Sequence, residues 1–371
     1  MQPPGEIEDA DSWSFYHEML RHAQLSHAVG IAAEWRVADH IAAGVSDLDA
    51  LSSVVGCDRE GLARLLRVLE SARIVARCRR GRYELTARGA LLHSDADGGV
   101  RNTMTWWSHY RWPVWTHLAT SLRTGRGSRA RALGFEGFDQ LDADGEAAAA
   151  FNGAMAELAR QLGKRLSSAY DFAGVKTIVD VGGGDGTVLS ALLTAQPGVR
   201  GVLVDLPHAV AAARSKLSAQ GVADRCDALP GDFFDSVPAR GDLYILQRVL
   251  HDWDDERCVA ICSKCREAMP EHARLLVIER VLPSRIDHCD DHLDVTISDL
   301  NVLVMLGARE RSEHEIRAIL AKASLQCSTT IELLLGFRAI VAATSPKAPG
   351  GDIRMQQKAR SIGSDCKGAA F

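Results

Sequence analysis

The chain has 371 residues, of which 46% are hydrophobic and 25% are charged, and its net charge at pH 7 is −5. This composition excludes a largely disordered chain, a collagen-like repeat and a coiled-coil rod. No apolar run approaches the roughly 18 residues of a membrane span, and the acidic first residues lack the basic and apolar segments of a signal peptide. We therefore expect a soluble, cytoplasmic protein of two or three domains, without an electrostatic reason to bind nucleic acid or a membrane.

The first hundred residues predict a small, mostly helical domain. Apolar residues recur at helical spacing over residues 22–43, and Asp47 and Asp58 each stand where they can cap a short helix. The segment RIVARCRRGRYELT (residues 73–86) then predicts two strands joined by a turn at Gly81. Two short helices followed by a β-hairpin indicate a winged helix over residues 1–100.

Residues 101–170 predict a helical connector. Four of the seven tryptophans lie between residues 102 and 116, and one long helix is expected over residues 147–169. Between them, the Gly- and Arg-rich stretch TGRGSRARALGFEGF (residues 124–138) is typical of an irregular surface loop. At the other end of the chain, residues 346–371 are rich in Pro, Gly, Ser and Lys and are predicted to be disordered.

From residue 171 to 345 the pattern changes to alternating strands and helices. Apolar strands are expected at KTIVDV, RGVLVD, RCDALP, DLYILQ and ARLLVIE, with helices opening near Thr187, His208, Asp254 and Ser312. The last two strands, QCSTTIEL and FRAIVAA, are separated by a tight turn near Gly336 and should pair antiparallel. The fold class predicted here is therefore α/β, with a Rossmann-like, seven-stranded, mostly parallel sheet whose last strand is antiparallel.

The segment TIVDVGGGDGTVLSALL (residues 177–193) is the most informative about a ligand. A buried strand ends at Asp180, glycines follow at Gly182, Gly184 and Gly186, and a helix starts at once. Glycines let the backbone approach a ligand closely, and a helix N-terminus offers free N–H groups. A nicotinamide fingerprint would bind a pyrophosphate here, whereas an acid before the glycines suits a ligand with an ammonium group. S-adenosylmethionine has an ammonium group and no phosphate.

Two further acids lie where the same ligand needs them. Asp205 closes the next predicted strand, where a carboxylate can bind both ribose hydroxyls. Asp232 follows the strand after that, where it can accept from an adenine amino group while Phe233 covers the ring. Because ligands bind at the carboxyl ends of the strands in open α/β sheets, three acids at three consecutive strand ends support one another.

The fourth strand runs into LQRVLHDWDDE, which contains a candidate general base. His251 stands at the carboxyl end of that strand, and the ordinary pKa of histidine, near 6.5, suits proton removal at neutral pH. Glu279 ends the next strand and Glu310 precedes the last helix, so either carboxylate could orient the ring. The alternative is that His251 only caps the following helix beside Asp252.

The segments DVGGGDG, VDLP, GDFF, VLHDWDDE and GARERSEHE, in this order and spacing, resemble the small-molecule O-methyltransferases that use S-adenosylmethionine. The resemblance covers roughly residues 15–345. The family includes plant phenolic methyltransferases and bacterial enzymes of antibiotic biosynthesis. It implies a methyltransferase sheet, methylation of a hydroxyl group on a small aromatic compound of secondary metabolism, and a homodimer formed through the winged-helix domain.

The resemblance also implies roles for individual residues. Gly182 and Gly184 would contact the donor, Asp205 its ribose, and Asp232 with Phe233 its adenine. His251 would be the base, flanked by Glu279 and Glu310 with Asp252 beside it. The acceptor pocket would be lined by Trp107, Met155, Asn301 and Met305. The sequence departs from the family at Gln247, where many members carry a donor-contacting lysine, and this removes a charge near the adenosine end.

Three alternatives stay open at this point. A relative of the same fold could carry out C-methylation, decarboxylation or hydroxylation, and His251, Asp252 and His292 could form a facial metal site for such chemistry. A winged helix could bind DNA, although residues 36–93 contain only ten arginines against seven acidic residues. Finally, three cysteines at helical spacing could bind zinc, but buried core packing is the more common role of such residues; they are Cys258, Cys262 and Cys265.

Overall fold

The computed structural model describes residues 9–78, 81–134, 144–287 and 289–344, so the predicted disordered tail lies outside the described residues. Helices and strands are numbered here in chain order. The N-terminal part is helical with one β-hairpin, and its elements are α1 (Asp9–Glu34), α2 (Val37–Ala42), α3 (Leu48–Val55), α4 (Arg59–Ser71), β1 (Val75–Arg77), β2 (Tyr83–Leu85) and α5 (Ala87–Ala90).

The helix starts predicted at Asp47 and Asp58 are confirmed. Their carboxylates accept hydrogen bonds from the backbone N–H groups of Ala50 and Gly61, at 2.9 and 2.6 Å. The helical residues 22–43 belong to two helices, because Arg36 adopts a left-handed conformation with φ of 53° and separates α1 from α2. The bend lets both helices bury apolar side chains in one cluster with α4.

The helix that would read DNA in a winged-helix regulator is α4. Its apolar face is buried in the N-terminal cluster through Leu62, Leu66 and Leu69. On its outer face, Arg64 and Arg67 lie 3.7 and 3.8 Å from the carboxylate of Glu60. Their charges are therefore partly balanced within the helix itself.

The middle of the chain consists of short helices and one long one. Its elements are α6 (Arg101–Thr105), a π-helical turn (Trp106–Arg111), α7 (Trp112–Trp115), α8 (Leu118–Thr124), α9 (Arg129–Leu133) and α10 (Gly145–Ala169). The irregular surface loop predicted over residues 124–138 is wrong in part, because it contains α9, and residues 135–138 lie outside the described residues. The backbone N–H of Ser128 donates to the carbonyl of Val304 at 2.7 Å, and this contact attaches the segment to the C-terminal part.

The C-terminal part alternates strands and helices as predicted. Its strands are β3 (Thr177–Val181), β4 (Arg200–Asp205), β5 (Cys226–Pro230), β6 (Leu243–Gln247), β7 (Arg274–Leu282), β8 (Arg311–Ser312), β9 (Leu325–Glu332) and β10 (Phe337–Thr344). Its helices are α11 (Thr187–Ala195), α12 (Pro207–Ala219), α13 (Asp255–Ala268), α14 (Asp290–Leu306) and α15 (Glu313–Lys322). Of these helices, α14 has no counterpart among the predicted helix starts.

The strands form one sheet in the order β5-β4-β3-β6-β7-β10-β9, and the two-residue β8 pairs with β7. Strands β3 to β7 pair in parallel, whereas β10 is antiparallel to both of its neighbours, so the predicted arrangement is confirmed. The strand order reverses at β3, because the chain moves to β4 on one side and returns to β6 on the other. Open α/β sheets bind ligands at such a switch point.

Both faces of the sheet are covered by apolar clusters. Cys258, Cys262 and Cys265 are fully buried in one of them, which confirms that they pack in the core. Among the helices that the structure describes, none is long and apolar enough to cross a membrane.

Candidate active site

The glycine turn after β3 lies at the switch point of the sheet. Gly182 and Gly184 both have positive φ, 70° and 59°, a conformation that residues with a Cβ rarely adopt. The N–H of Gly184 donates to the Asp205 carboxylate at 2.8 Å, and this bond joins the turn to the end of β4. A Cβ on Gly184 would meet no atom within 4 Å, so the turn leaves open space above it for a ligand.

Asp180 lies beneath this turn and does not line the cavity above it. A Cβ on Gly183 would come within 2.7 Å of the Asp180 carboxyl group, which is 1% exposed. Burial, together with the nearby carboxylates of Asp205 and Asp185, raises the pKa of Asp180 to about 7. Its position is therefore that of a group supporting the turn from below, and its predicted contact with the donor stays a prediction.

The other two predicted donor residues lie at the neighbouring strand end. Asp232 is exposed after β5, and its carboxylate accepts the N–H of Phe234 at 2.8 Å. Phe233 packs beside the glycine turn, since a Cβ on Gly182 would lie 3.3 Å from its ring. The structure thus gathers the ends of β3, β4 and β5 at one edge of the sheet, as the sequence predicts.

His251 lies in a short 3₁₀ turn just after β6 and is only 8% exposed. Its Nδ1 atom is 3.2 Å from Glu279 Oε2 and 3.6 Å from Glu310 Oε2, while its Nε2 atom is 3.4 Å from Asp252 Oδ1. Glu279 also accepts the N–H of Leu250 at 2.8 Å, which fixes the carboxylate against the turn that carries the histidine. His251 therefore contacts all three acidic residues that the sequence analysis placed beside it.

The carboxylates change the acid–base chemistry of this histidine. Burial by itself would lower the pKa of His251. The carboxylates of Glu279 and Glu310, with a smaller contribution from Asp252, outweigh burial and raise this pKa to about 10. At this position the flanking carboxylates therefore favour the imidazolium over the neutral ring more strongly than the ordinary pKa of histidine implies.

Two cavities meet at His251. The first, of about 240 Å³, opens over the glycine turn, and we call it the donor cavity. The second, of about 320 Å³, lies between the middle helices and the end of the sheet, and we call it the acceptor cavity. His251 lines both cavities, so one imidazole can face ligands in each of them.

The residues predicted for the acceptor pocket are distributed over the two cavities. Trp107 lines the acceptor cavity, Met155 and Asn301 line both, and Met305 lines the donor cavity. The indole N–H of Trp115 donates to Asn301 Oδ1 at 3.1 Å, which fixes that amide between the cavities. Gln247, the departure from the family pattern, lines the donor cavity as well.

Sequence reasoning missed three arginines in these walls. Arg111, Arg248 and Arg280 all line the acceptor cavity. The acids of the site were found by their position at or near the ends of strands, and two of these arginines could have been found in the same way. Arg248 follows Gln247 at the end of β6, and Arg280 follows Glu279 on β7.

The metal site considered from the sequence is not formed. His292 accepts the N–H of Asp287 at 2.9 Å through its Nδ1 atom, and the metal-capable group found among the described residues joins His251 to Glu279 and Glu310 instead, without Asp252 or His292. Both of those carboxylates face Nδ1 of His251. An imidazolium whose Nδ1–H points at two carboxylates accounts for these distances.

Two family models match the chain. The family model of the O-methyltransferase domain matches residues 115–326, and that of the O-methyltransferase dimerisation domain matches residues 18–95. Phenazine O-methyltransferase PhzM of Lysobacter antibioticus is 33% identical over 325 residues, 88% of this chain and 94% of that protein. The mitomycin biosynthesis 6-O-methyltransferase of Streptomyces lavendulae is 33% identical over 332 residues, 88% of this chain and 93% of that protein.

A solved structure is similar over most of both chains. It is an O-methyltransferase from neocarzinostatin biosynthesis in complex with S-adenosylmethionine and 2-hydroxy-5-methyl naphthoic acid, and it has a TM-score of 0.70 with 33% identity over 86% of this chain and 96% of that one. Fold, site and relatives together define the class, a methyltransferase whose methyl donor is S-adenosylmethionine. Within that class the chain belongs to the O-methyltransferase family.

Proposed function

We propose that the protein transfers the methyl group of S-adenosylmethionine to a phenolic hydroxyl group of a small aromatic compound of secondary metabolism, with His251 as the general base. The observation that carries this proposal is the position of His251, which lines both the donor and the acceptor cavity. A group at this junction can take a proton from one ligand while the other ligand lies within reach.

In this proposal the donor is held at the switch point of the sheet. The backbone of Gly182 and Gly184 approaches it most closely, Asp205 accepts from its ribose hydroxyls, and Phe233 with Asp232 binds its adenine. S-adenosylmethionine supplies a methyl group on a positively charged sulfur, which is a good leaving group. The protein therefore has two tasks, which are to position the acceptor oxygen and to remove its proton.

The acceptor cavity suits a flat aromatic compound. Trp106, Trp107, Trp115 and Phe337 contribute aromatic walls, and Met155 contributes a thioether. The neocarzinostatin enzyme was solved with a naphthoic acid, and an aromatic acceptor of similar kind is what these walls would bind.

The proposed functions divide the chain into three parts. Residues 1–100 form the dimerisation domain, residues 101–170 form the connector that closes the acceptor cavity, and residues 171–345 bind the donor and carry out catalysis.

The proton leaves the acceptor through His251. Because Nδ1 faces Glu279 and Glu310, Nε2 is the nitrogen assigned to the acceptor hydroxyl, and it shares this side of the ring with Asp252, whose Oδ1 lies 3.4 Å away. A base whose conjugate acid has a pKa of about 10 matches a phenol, whose ordinary pKa, like that of tyrosine, is about 10. Proton transfer between groups of equal pKa is nearly balanced in free energy, and the two flanking carboxylates stabilise the resulting imidazolium.

Incubation with isotopically methyl-labelled S-adenosylmethionine and a panel of mono- and dihydroxylated naphthalenes and benzoates tests the reaction. We expect label in an aryl methyl ether, identified by the nuclear magnetic resonance shift of its methyl carbon. A methyl group bonded to a ring carbon, loss of carbon dioxide or a newly hydroxylated product would each contradict O-methylation and support the corresponding alternative. A catechol given in parallel tests whether adjacent hydroxyls are distinguished.

The donor site predicts a loss of binding in Asp205→Ala. This carboxylate accepts the N–H groups of Gly184 and Leu206 at 2.8 and 2.7 Å, so its removal loosens the turn and deletes the proposed ribose contact. We expect the affinity for S-adenosylmethionine to fall about 10- to 100-fold, the usual value for bonds to a charged group, in isothermal titration calorimetry. Asp227→Ala, an exposed position on β5, is the matched control, and unchanged affinity in Asp205→Ala would contradict the site.

The N-terminal domain predicts a homodimer. Helix α1 exposes Trp13, Phe15, Tyr16 and Leu20 by 59–71%, an apolar surface that a free monomer seldom leaves uncovered. Light scattering at micromolar concentration should give about twice the chain mass of 40.2 kDa, and Leu20→Asp should shift it toward the monomer. A wild-type particle of single-chain mass would contradict the prediction.

A further inference from the structure

Three arginine side chains face the acceptor cavity, and the proposed chemistry uses none of them. Arg111 ends the π-helical turn, Arg248 follows β6 and Arg280 lies on β7. All three line the acceptor cavity together with His251. Arg111 and Arg248 also line the donor cavity, whereas Arg280 lines the acceptor cavity and not the donor cavity.

These guanidinium groups lack the partners that buried cations normally have. Across the part of the chain that the structure describes, none of the three forms an ion pair with a carboxylate. The Nε atoms of Arg111 and Arg280 are buried without a hydrogen-bond partner. Arg248 places its Nη1 atom 2.9 Å from the sulfur of Met155, which is at most a weak acceptor.

The two glutamates in the cavity wall are already engaged. Glu157 accepts from backbone and side-chain groups of Asn102 and Thr103, with both backbone contacts at 2.8 Å. Glu310 accepts from Ser298 at 2.8 Å and contacts His251. Glu310 and Asp294 attract Arg280, and Asp252 attracts Arg248, but none of these carboxylates is close enough to form an ion pair. The walls therefore balance the positive charge of the three arginines only in part. Burial, with the neighbouring guanidinium groups of Arg248 and Arg280 adding, lowers the pKa of Arg111 to about 10.

Arg111, Arg248 and Arg280 are each partly exposed in the cavity they share. Guanidinium groups gathered in one partly enclosed cavity repel one another, and an anion that pairs with them relieves this cost. The planar fork of an arginine matches a carboxylate in a two-pronged contact, and it does so without needing a further charge from the protein. The same cavity has aromatic walls, and the Cζ atom of Arg280 lies 4.9 Å from the centre of the Phe337 ring. An aromatic ring and an anionic group are thus both complementary to this cavity.

We propose that the acceptor is an aromatic carboxylate, with the anionic group on the ring system that carries the methylated hydroxyl, and that Arg280 and Arg111 bind this carboxylate. The proposal rests on the proposed function for the identity of the reaction. It adds a class of substrate and two specificity-determining residues that act on binding rather than on proton transfer.

Binding of two ligands without a hydroxyl group tests this site separately from methyl transfer. We expect 2-naphthoate to bind the wild-type protein, in the presence of S-adenosylhomocysteine, about 10- to 100-fold more tightly than neutral 2-naphthamide. Arg111→Gln and Arg280→Gln should lose most of this preference, measured by calorimetry and by the rise in melting temperature that each ligand produces. Arg123→Gln, an exposed arginine on α8, should keep it.

Several outcomes would overturn the assignment. Equal affinity of the wild type for the two ligands excludes an anion site, and this comparison decides even where a variant does not fold. Retained preference in both glutamine variants excludes these residues. If Arg280→Gln instead weakens S-adenosylhomocysteine alone, the arginines bind the donor. By contrast, a retained carboxylate preference with no methyl transfer to any phenol supports the anion site and overturns the proposed reaction.

Discussion

We expect His251→Ala to lower kcat by about 10²- to 10⁴-fold, the usual contribution of a positioned general base, while the affinity for S-adenosylmethionine changes little. The histidine lines both cavities, but the glycine turn and Asp205 hold the donor in the proposed site. Loss of turnover without loss of donor binding therefore separates proton removal from binding. Single-turnover kinetics with a phenolic acceptor, together with donor titration, measure the two quantities.

The residues around His251 sharpen this test. Glu279→Gln and Glu310→Gln should each lose less activity than His251→Ala, because they position and charge the ring without touching the acceptor proton. Combining either of them with His251→Ala should add little, since groups that act as one unit are not additive. His314→Ala, an exposed histidine on α15, is the matched control. If His251→Ala kept most of its activity, proximity alone would suffice and His251 would have no part in proton removal. The helix-capping role considered from the sequence is filled by Asp254, whose carboxylate accepts the N–H of Arg257 at 2.8 Å at the start of α13.

The second expected result is an alkaline pH profile that Glu279→Gln moves to lower pH. With a pKa of about 10 for His251, about one site in a thousand holds the neutral imidazole at pH 7. The resting pair is a neutral phenol beside an imidazolium, and the imidazolium must lose its proton before it can act as a base. We therefore expect kcat/KM of the wild type to rise with pH toward the pKa of His251. Removing the Glu279 carboxylate destabilises the imidazolium. The pKa of His251 therefore falls, and the acidic limb of the profile moves to lower pH.

Glutamine is the right replacement because its carbonyl oxygen can still accept the N–H of Leu250 that Glu279 accepts at 2.8 Å. Glu310→Gln should move the limb less, because its contact with His251 is longer, 3.6 Å against 3.2 Å. Glu332→Gln, whose side chain is 81% exposed, should leave the profile in place. Profiles of kcat/KM between pH 6 and 10 for a single phenolic acceptor would record these shifts, and superimposable wild-type and Glu279→Gln curves would contradict the assignment.

Much of the C-terminal domain follows from the sequence. The strands from β3 to β7, the helix starts near Thr187 and Asp254, and the antiparallel last strand were all predicted, because each depends on local periodicity and on capping residues within a few positions. The grouping of His251 with Glu279 and Glu310 was also predicted, with His251 placed by the end of a parallel strand. The prediction that Glu279 ends its strand is wrong, because β7 continues to Leu282.

The features that the sequence did not predict have a common physical cause. The break at Arg36 and the folded segment around Ser128 depend on packing between distant segments, through the apolar cluster of α1, α2 and α4 and through the contact with Val304. No pattern in the neighbouring residues predicts either the break at Arg36 or the helix after Ser128. Helix α14 was missed for the same reason, since it contributes a wall to both cavities rather than a simple amphipathic surface.

The sequence by itself determined the family, the glycine turn and the identity of the proposed base, because these are carried by short motifs in a fixed order. Only the tertiary structure decided how that base is charged and what the acceptor cavity can recognise. Burial beside two carboxylates sets the pKa of His251, and three arginines from a helix, a strand end and a strand meet in one wall. Both effects depend on distances between residues far apart in the chain, which no local pattern encodes.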